Sequence, residues 1–183
     1  MIEIIKTEIE GLLIIKPKLF LDNRGSFYES YNKKSLKERG IDIDFVQDNQ
    51  SISHKGVLRG IHFQKLQPQT KLVRVIKGKI YDVAVDLRKG SKTFGKYFGI
   101  ILSGNNYKQL LIPKGFGHGF YVMSSEAIVS YKVDTHYIPN DEGGITWNDI
   151  DLNIPWPINL KDPILSDKDR QYTSLKEQIN LNK

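Results

Sequence analysis

An all-β fold, an antiparallel sandwich or barrel with short peripheral helices, is what this sequence predicts, and three observations carry that expectation. Strand-length apolar runs recur through the middle of the chain at roughly 8–12-residue spacing. Turn-forming clusters punctuate them: "KGK" at Lys77 to Lys79, "RKGSKTFG" from Arg88, "SGNN" from Ser103 and "MSSE" from Met123. Segments with helical periodicity are short and few.

In chain order, "GLLIIKPK" from Gly11 and "GSFYESY" from Gly25 read as strands. "NKKSLKER", Asn32 to Arg39, is the densest basic cluster and reads as a short, solvated amphipathic helix. "VLRGIHFQ", Val57 to Gln64, is a short apolar run holding a cation and an imidazole, followed by "KLVRVIKG" from Lys71. The clearest strand is "KIYDVAVDLRKG" from Lys79, because side chains alternate across a strand. Tyr81, Val83, Val85 and Leu87 share one face, whereas Asp82 and Asp86 flank Ala84 on the other. "KYFGIILS", "KQLLIP", "GFYVMS" and "AIVSYKV" continue the strand series. The tail "YTSLKEQI" reads as a second helix, capped by Thr173 or Ser174. With no low-complexity linker or repeat, residues 1–183 are expected to form a single domain with a short helical extension from about 170.

Composition narrows the function. Hydrophobic residues make up 39% and charged residues 26%, a globular balance rather than a disordered one. No apolar run approaches the roughly 18 residues that a membrane span needs. The first residues, "MIEIIKTEIEGLLIIKPK", lack the basic region, apolar core and cleavage site of a secretory leader. Cysteine is absent, so disulfides and thiolate metal ligands are excluded; a cytoplasmic protein is the expectation. The net charge of +6 suits an anionic ligand. Its cations are dispersed, and no nucleic-acid-binding signature accompanies them, so neither nucleic acid nor membrane is expected as a partner.

Four histidines are candidates for chemistry: His54, His62, His118 and His136. A barrel metal site usually takes two imidazoles from one strand as His-x-His, but Gln64 stands two residues after His62. Lys71 and Arg74 on the next strand would oppose a bound cation, so no metal site is expected. As an acid–base group, His62 would need an orienting carboxylate, with Asp82, Asp86, Asp167 and Asp169 available. Strict alternation puts Arg59 and His62 on opposite faces, so their convergence requires a bulge or turn at Gly60. "LLIPKGFGHGF" lacks the spacing and following helix of a phosphate loop and reads as a strand-to-strand turn presenting His118 to a barrel mouth. Tyr131 shares parity with Val129 and Val133 and therefore points inward, as a core phenol or a general acid.

Seven blocks in order resemble the dTDP-4-dehydrorhamnose 3,5-epimerase family across nearly the whole chain. They are "DNRGSFYES", "FVQDNQSIS", "GVLRGIHFQ", "KLVRVIKGKIYDVAVDLRKGS", "IPKGFGHGF", "YKVDTHYIPNDEGGITWND" and "PILSDKDR". The resemblance implies a cupin-like jelly-roll barrel, a homodimer, and catalysis without metal or organic cofactor. Pro113, Gly115 and His118 match the second cupin signature, and the metal ligands of the first are missing. The implied reaction is epimerisation at C3 and C5 of dTDP-4-dehydro-6-deoxy-D-glucose, giving dTDP-4-dehydro-L-rhamnose. An epimerase of one carbon only, or of another 4-keto nucleotide sugar, is the alternative.

By the same resemblance, His62 and Asp169 form the proton-abstracting dyad, Tyr131 is the acid that protonates the opposite face at C5, and Lys71 is the cation near the C4 oxygen. Arg24, Phe27, Glu29, Gln47, Asn49, Arg59, His118, Tyr137, Glu142 and Lys168 match substrate-site positions. Arg24 is implied to reach across the dimer, and Phe27 and Tyr137 to stack on the base. His136 and Gly143 depart from the family pattern, which favours tyrosine and arginine there.

Overall fold

The computed structural model describes residues 2–158 and 162–181. The described chain forms strands β1 (Ile2–Lys6), β2 (Leu13–Pro17), β3 (Phe20–Asp22), β4 (Gly25–Phe27), β5 (Gln47–His54), β6 (Leu58–Gln64) and β7 (Lys71–Lys77). It continues with β8 (Lys79–Asp86), β9 (Tyr97–Ser103), β10 (Gln109–Ile112), β11 (Phe116–Val122), β12 (Glu126–Val133) and β13 (Glu142–Gly144). Three short helices, α1 (Lys33–Lys37), α2 (Asp167–Arg170) and α3 (Leu175–Leu181), lie at the periphery.

Two antiparallel sheets face each other, ordered β1-β2-β10-β7-β12-β5 and β13-β6-β11-β8-β9, with β3-β4 as a separate ribbon. Strands distant in sequence become neighbours, as β10 does between β2 and β7. This is the cupin-like jelly-roll barrel, the all-β class expected. Between the sheets, Val73, Val75, Ile80, Ala84, Leu110, Phe120, Val122 and Val129 form the central core. A second cluster, Ile61, Val83, Val85, Ile145, Leu152 and Leu175, covers the outer face of the smaller sheet. A third, Ile15, Leu36, Ile41, Leu72 and Leu111, covers the outer face of the larger one. Both faces of both sheets are thereby in contact with protein, which accounts for apolar residues at both parities of β8.

The face of β8 carrying Tyr81, Val83 and Val85 turns outward to the second cluster, and the one carrying Asp82 and Asp86 turns into the barrel. Asp86 accepts from Arg88 (2.7 Å), Ser91 (2.6 Å) and Thr93 (2.6 Å). Burial pushes its carboxyl up, but these bonds outweigh burial and hold it well below the usual range. The helix expected from "NKKSLKER" is α1, capped by Asn32 and burying Leu36. Ser174, one of the two expected caps, exchanges bonds with Glu177 at the start of α3, a capping box. Residues 182–183 of the expected extension lie outside the described residues. No described helix is long and apolar enough to cross a membrane.

Three sequence expectations change. "GSFYESY" is a strand only over Gly25–Phe27, after which Tyr28 packs edge-on against Tyr107. "FGHGF", Phe116 to Phe120, is no turn: it lies inside β11, and Gly115, with φ 82°, makes the turn before it. Gly117 and Gly119 let β6 approach, because a Cβ would stand 2.6 Å from Ile61 Cγ2 or 2.9 Å from Arg59 O. Arg74 alternates with Val73 and Val75 and shares the parity of Leu72, so it faces away from the barrel that Lys71 enters.

Candidate active site

The site begins at a bulge in β6. Along β11, Phe120 opposes Arg59 and His118 opposes His62, so the one residue Gly119 stands against Gly60 and Ile61. The extra residue reverses the side-chain alternation and brings Arg59 and His62 to the same inward face. Gly60 has φ 119°, and a Cβ on it would lie 2.5 Å from Gly119 Cα. Only glycine fits this crossing.

His62 Nε2 lies 2.5 Å from Asp169 Oδ1. The imidazole is 30% exposed and the carboxylate side chain only 4%. Asp169 stands in α2, whose cap Ser166 accepts from the Asp169 backbone N–H. A parallel bridge between Val57 and Ile164 ties the segment before α2 to the residue before β6. Of the four carboxylates available from sequence, Asp169 therefore meets His62. Asp82 instead pairs with buried His118 at 2.9 Å, with its second oxygen buried and unpartnered. Asp86 serves the Arg88 turn, and Asp167 lies exposed in α2.

Lys71 and Tyr131 approach from the opposite sheet. Lys71 alternates inward with Val73, and Tyr131 packs against the central core. Burial pushes the Lys71 ammonium from 10.5 down to about 8, against the opposing charges of Glu142 and Asp82. Those carboxylates bond elsewhere, to Lys168 and His118 respectively. Burial also pushes the Tyr131 phenol up, with Arg59 pulling it down and Glu142 reinforcing the rise. Arg59 donates from Nε to Ser53 Oγ at 3.1 Å.

Glu142 forms a polar hub at the rim. It accepts from Lys168 (2.8 Å), from Tyr172 (3.1 Å) and from the Tyr137 hydroxyl. Burial pushes its carboxyl up, but the bonds from Lys168 and Tyr137 outweigh this and hold it below the usual carboxylate range. Gln47 donates to Asn49 at 2.8 Å and accepts from the Tyr137 backbone N–H at 3.1 Å, tying β5 to the same rim. Gln64, in the position where a metal site would place histidine, fastens this loop by accepting from Ile138 N at 2.8 Å. Among the described residues, no group of three or more His, Asp or Glu is placed to hold a metal ion.

His62, Asp169, Lys71, Tyr131, Arg59, His118, Gln47, Asn49, Tyr137, Glu142 and Lys168 thus gather around one end of the barrel. Arg24, Phe27 and Glu29 stand apart. Arg24 pairs with Asp22 on the exposed ribbon, Phe27 is 70% exposed, and Glu29 accepts from Asn32. Tyr172 escaped the sequence reading, although its ring lies edge-on to His62 with centroids 5.6 Å apart. Its place directly after the α2 segment was the available signal.

A family model described as dTDP-4-dehydrorhamnose 3,5-epimerase matches residues 6–177. The chain belongs to this epimerase family. A dTDP-4-dehydrorhamnose 3,5-epimerase of Methanothermobacter thermautotrophicus is 49% identical over 174 residues, covering 94% of each chain. The crystal structure of the Bacillus anthracis enzyme with TDP and PPi bound is 50% identical with a TM-score of 0.92, covering 96% of this chain and 100% of that one. A Legionella pneumophila 3,5-epimerase in complex with dTDP-4-keto-L-rhamnose is also 50% identical, with a TM-score of 0.93 and coverage of 96% and 94%. A 3'-monoepimerase from Streptomyces bikiniensis in complex with dTDP-quinovose is 31% identical with a TM-score of 0.90, covering 96% and 89%. At Gly143, where the sequence resemblance implies arginine, a Cβ would stand 2.8 Å from both Lys65 and Phe63. These two side chains occupy the space that a larger residue would need.

Proposed function

We propose that this protein inverts C3 and C5 of dTDP-4-dehydro-6-deoxy-D-glucose to give dTDP-4-dehydro-L-rhamnose, acting as a cytoplasmic homodimer without metal or cofactor. The supporting observation is the His62–Asp169 pair facing a barrel interior that also holds the half-buried cation Lys71 and the phenol Tyr131.

Both carbons are α to the C4 ketone, so their C–H bonds are the acidic ones. With Nε2 bonded to Asp169, His62 takes the proton through Nδ1, and Asp169 stabilises the imidazolium that results. The C–H electron pair moves into an enolate, whose oxygen is met by the Lys71 ammonium. A donor already in place there acts more strongly on the developing charge than on the neutral ketone. Tyr131 then gives its proton to the opposite face, forming the new C–H bond with inverted configuration. Its phenolate regains a proton while His62 releases one to solvent, which closes the cycle. A base that returned its own proton to the same face would achieve exchange only.

Arg59, Gln47, Asn49, Tyr137, Glu142, Lys168 and His118 hold the sugar and its diphosphate, with guanidinium suited to phosphate oxygens. Arg24 and Phe27 on the exposed ribbon, with Glu29 just past it, complete the site of a second copy.

Proton NMR of the ketosugar nucleotide with purified protein in deuterated buffer tests the reading. Deuterium entering both C3 and C5 with appearance of the L-rhamno product supports it. Incorporation at one carbon alone selects the narrower activity carried in the name of the Streptomyces bikiniensis relative. Absence of exchange in the presence of chelator, restored by added metal, overturns the cofactor-free chemistry.

A further inference from the structure

Asp169 by itself is a single pivot for the His62 ring, since one hydrogen bond leaves the imidazole plane able to swing. A second contact comes from the same segment. Two residues past α2, the Tyr172 ring stands at 65° to the imidazole, with centroids 5.6 Å apart. Its hydroxyl donates to Glu142 Oε1 at 3.1 Å, on the oxygen not used by Lys168. Burial first, and the Glu142 carboxylate second, push this phenol well above its ordinary range, so it remains a neutral donor at any working pH.

The slot for this ring is built by an absent side chain. Gly144 lies directly opposite His62 in the β13–β6 register. A Cβ there would stand 2.4 Å from the Tyr172 ring. The chain around Tyr172 is also fastened: Thr146 N donates to Thr173 O at 2.9 Å, and Leu175 N donates to Asp149 Oδ2 at 2.7 Å. The 166–175 segment therefore grips the imidazole twice, at its nitrogen through Asp169 and on its ring through Tyr172.

We infer that Tyr172 is a positioning residue for the base: its ring sets the plane of the His62 imidazole, and its hydroxyl steadies Glu142 at the sugar rim. The inference rests on the reading of His62 as the base, and it divides the two parts of one side chain between turnover and binding.

Three substitutions and a control test it by steady-state epimerisation kinetics, with circular dichroism confirming the fold. Tyr172→Leu removes the flat ring while keeping bulk; kcat should fall about 10–100-fold with KM within about twofold, as expected for a misoriented base. Tyr172→Phe restores the ring, so kcat should return to within about threefold of wild type, whereas KM rises about 2–5-fold because Glu142 loses a donor. Gly144→Ala, which evicts the ring, should lower kcat in wild type but add little in the Tyr172→Leu background, because both act on one contact. A folded Tyr172→Leu protein with wild-type kcat overturns the inference, and so do equal kcat losses in the Leu and Phe variants. His62→Ala separates the two levels. Exchange persisting in His62→Ala refutes the base reading itself. Exchange abolished there, alongside an unaffected Tyr172→Leu, refutes only the positioning role.

Discussion

In the proposed mechanism, Lys71 sits where stability and function conflict. Its ammonium is drawn into the barrel and its pKa falls from 10.5 to about 8, so the folded state carries a charge that burial disfavours. Below pH 8 folded and unfolded chains are both protonated at this group, and the penalty, on the order of 3 kcal/mol, is fully present. Between pH 8 and 10.5 the unfolded chain holds the proton that the folded chain has lost, so this group makes stability rise with pH. Epimerisation should run the other way, falling as pH passes upward through about 8 and the cation at the enolate oxygen is neutralised. Lys71→Met should stabilise the fold at pH 7 by about 1–3 kcal/mol in urea titrations while lowering kcat at least about 100-fold. A variant that loses stability as well as activity would show that Lys71 is held mainly for packing. Tyr131 separates differently: Tyr131→Phe should suppress inversion, above all at C5, yet leave deuterium exchange by His62 in place. If exchange disappears as completely as in His62→Ala, the assignment of base and acid to these two residues is wrong.

At the level of elements, the bulge in β6 is the device on which the site depends. Without the extra residue at Gly60 and Ile61, the Arg59 side chain would leave the inward face that His62 occupies. Gly60→Ala places a Cβ against the backbone of β11 in a left-handed conformation. The variant should lose about 2–4 kcal/mol of stability, with a fall in kcat/KM larger than the loss of folded protein explains. Thermal unfolding and kinetics measured on the same preparation check this, and unchanged kcat/KM per folded molecule would contradict it. Strand β5 shows why part of the site is invisible to hydropathy. Gln47, Asn49, Ser51 and Ser53 alternate inward while Ile52 is exposed, the reverse of an ordinary strand. The reversal arises because this strand lines a polar mouth rather than apolar core.

For the molecule as a whole, the β3–β4 ribbon is the feature that a lone chain leaves unexplained. Phe20, Leu21 and Phe27 are 51%, 74% and 70% exposed there, beside Arg24. Exposed apolar residues of this density mark an interaction surface, and a second copy whose site lacks these residues is the proposed partner. Sedimentation equilibrium should give twice the chain mass. Arg24→Ala and His62→Ala proteins, each impaired alone, should recover about a quarter of wild-type activity when mixed and allowed to exchange subunits, since half the symmetric dimers then carry one intact site. No recovery despite subunit exchange would mean that Arg24 serves its own chain's site or none.

Local chemistry wrote much of this protein legibly. The alternation of β8, the Ser174 cap of α3, the inward parity of Tyr131 and the need for an irregularity at Gly60 all follow from rules acting over a few residues. Ordered motif blocks carried the family and, with it, the candidate residues. Pairings across long stretches of chain were decided only by the tertiary structure. His62 and Asp169 are 107 residues apart in sequence, and four carboxylates were chemically equivalent partners until packing brought α2 against β6. The same packing gave Asp82 to His118, turned Arg74 away from the barrel and set Tyr172 on the imidazole. "VLRGIHFQ" therefore specified by itself that a cation and an imidazole could share a face. Which carboxylate and which ring would hold that imidazole depended on contacts that no local rule reaches.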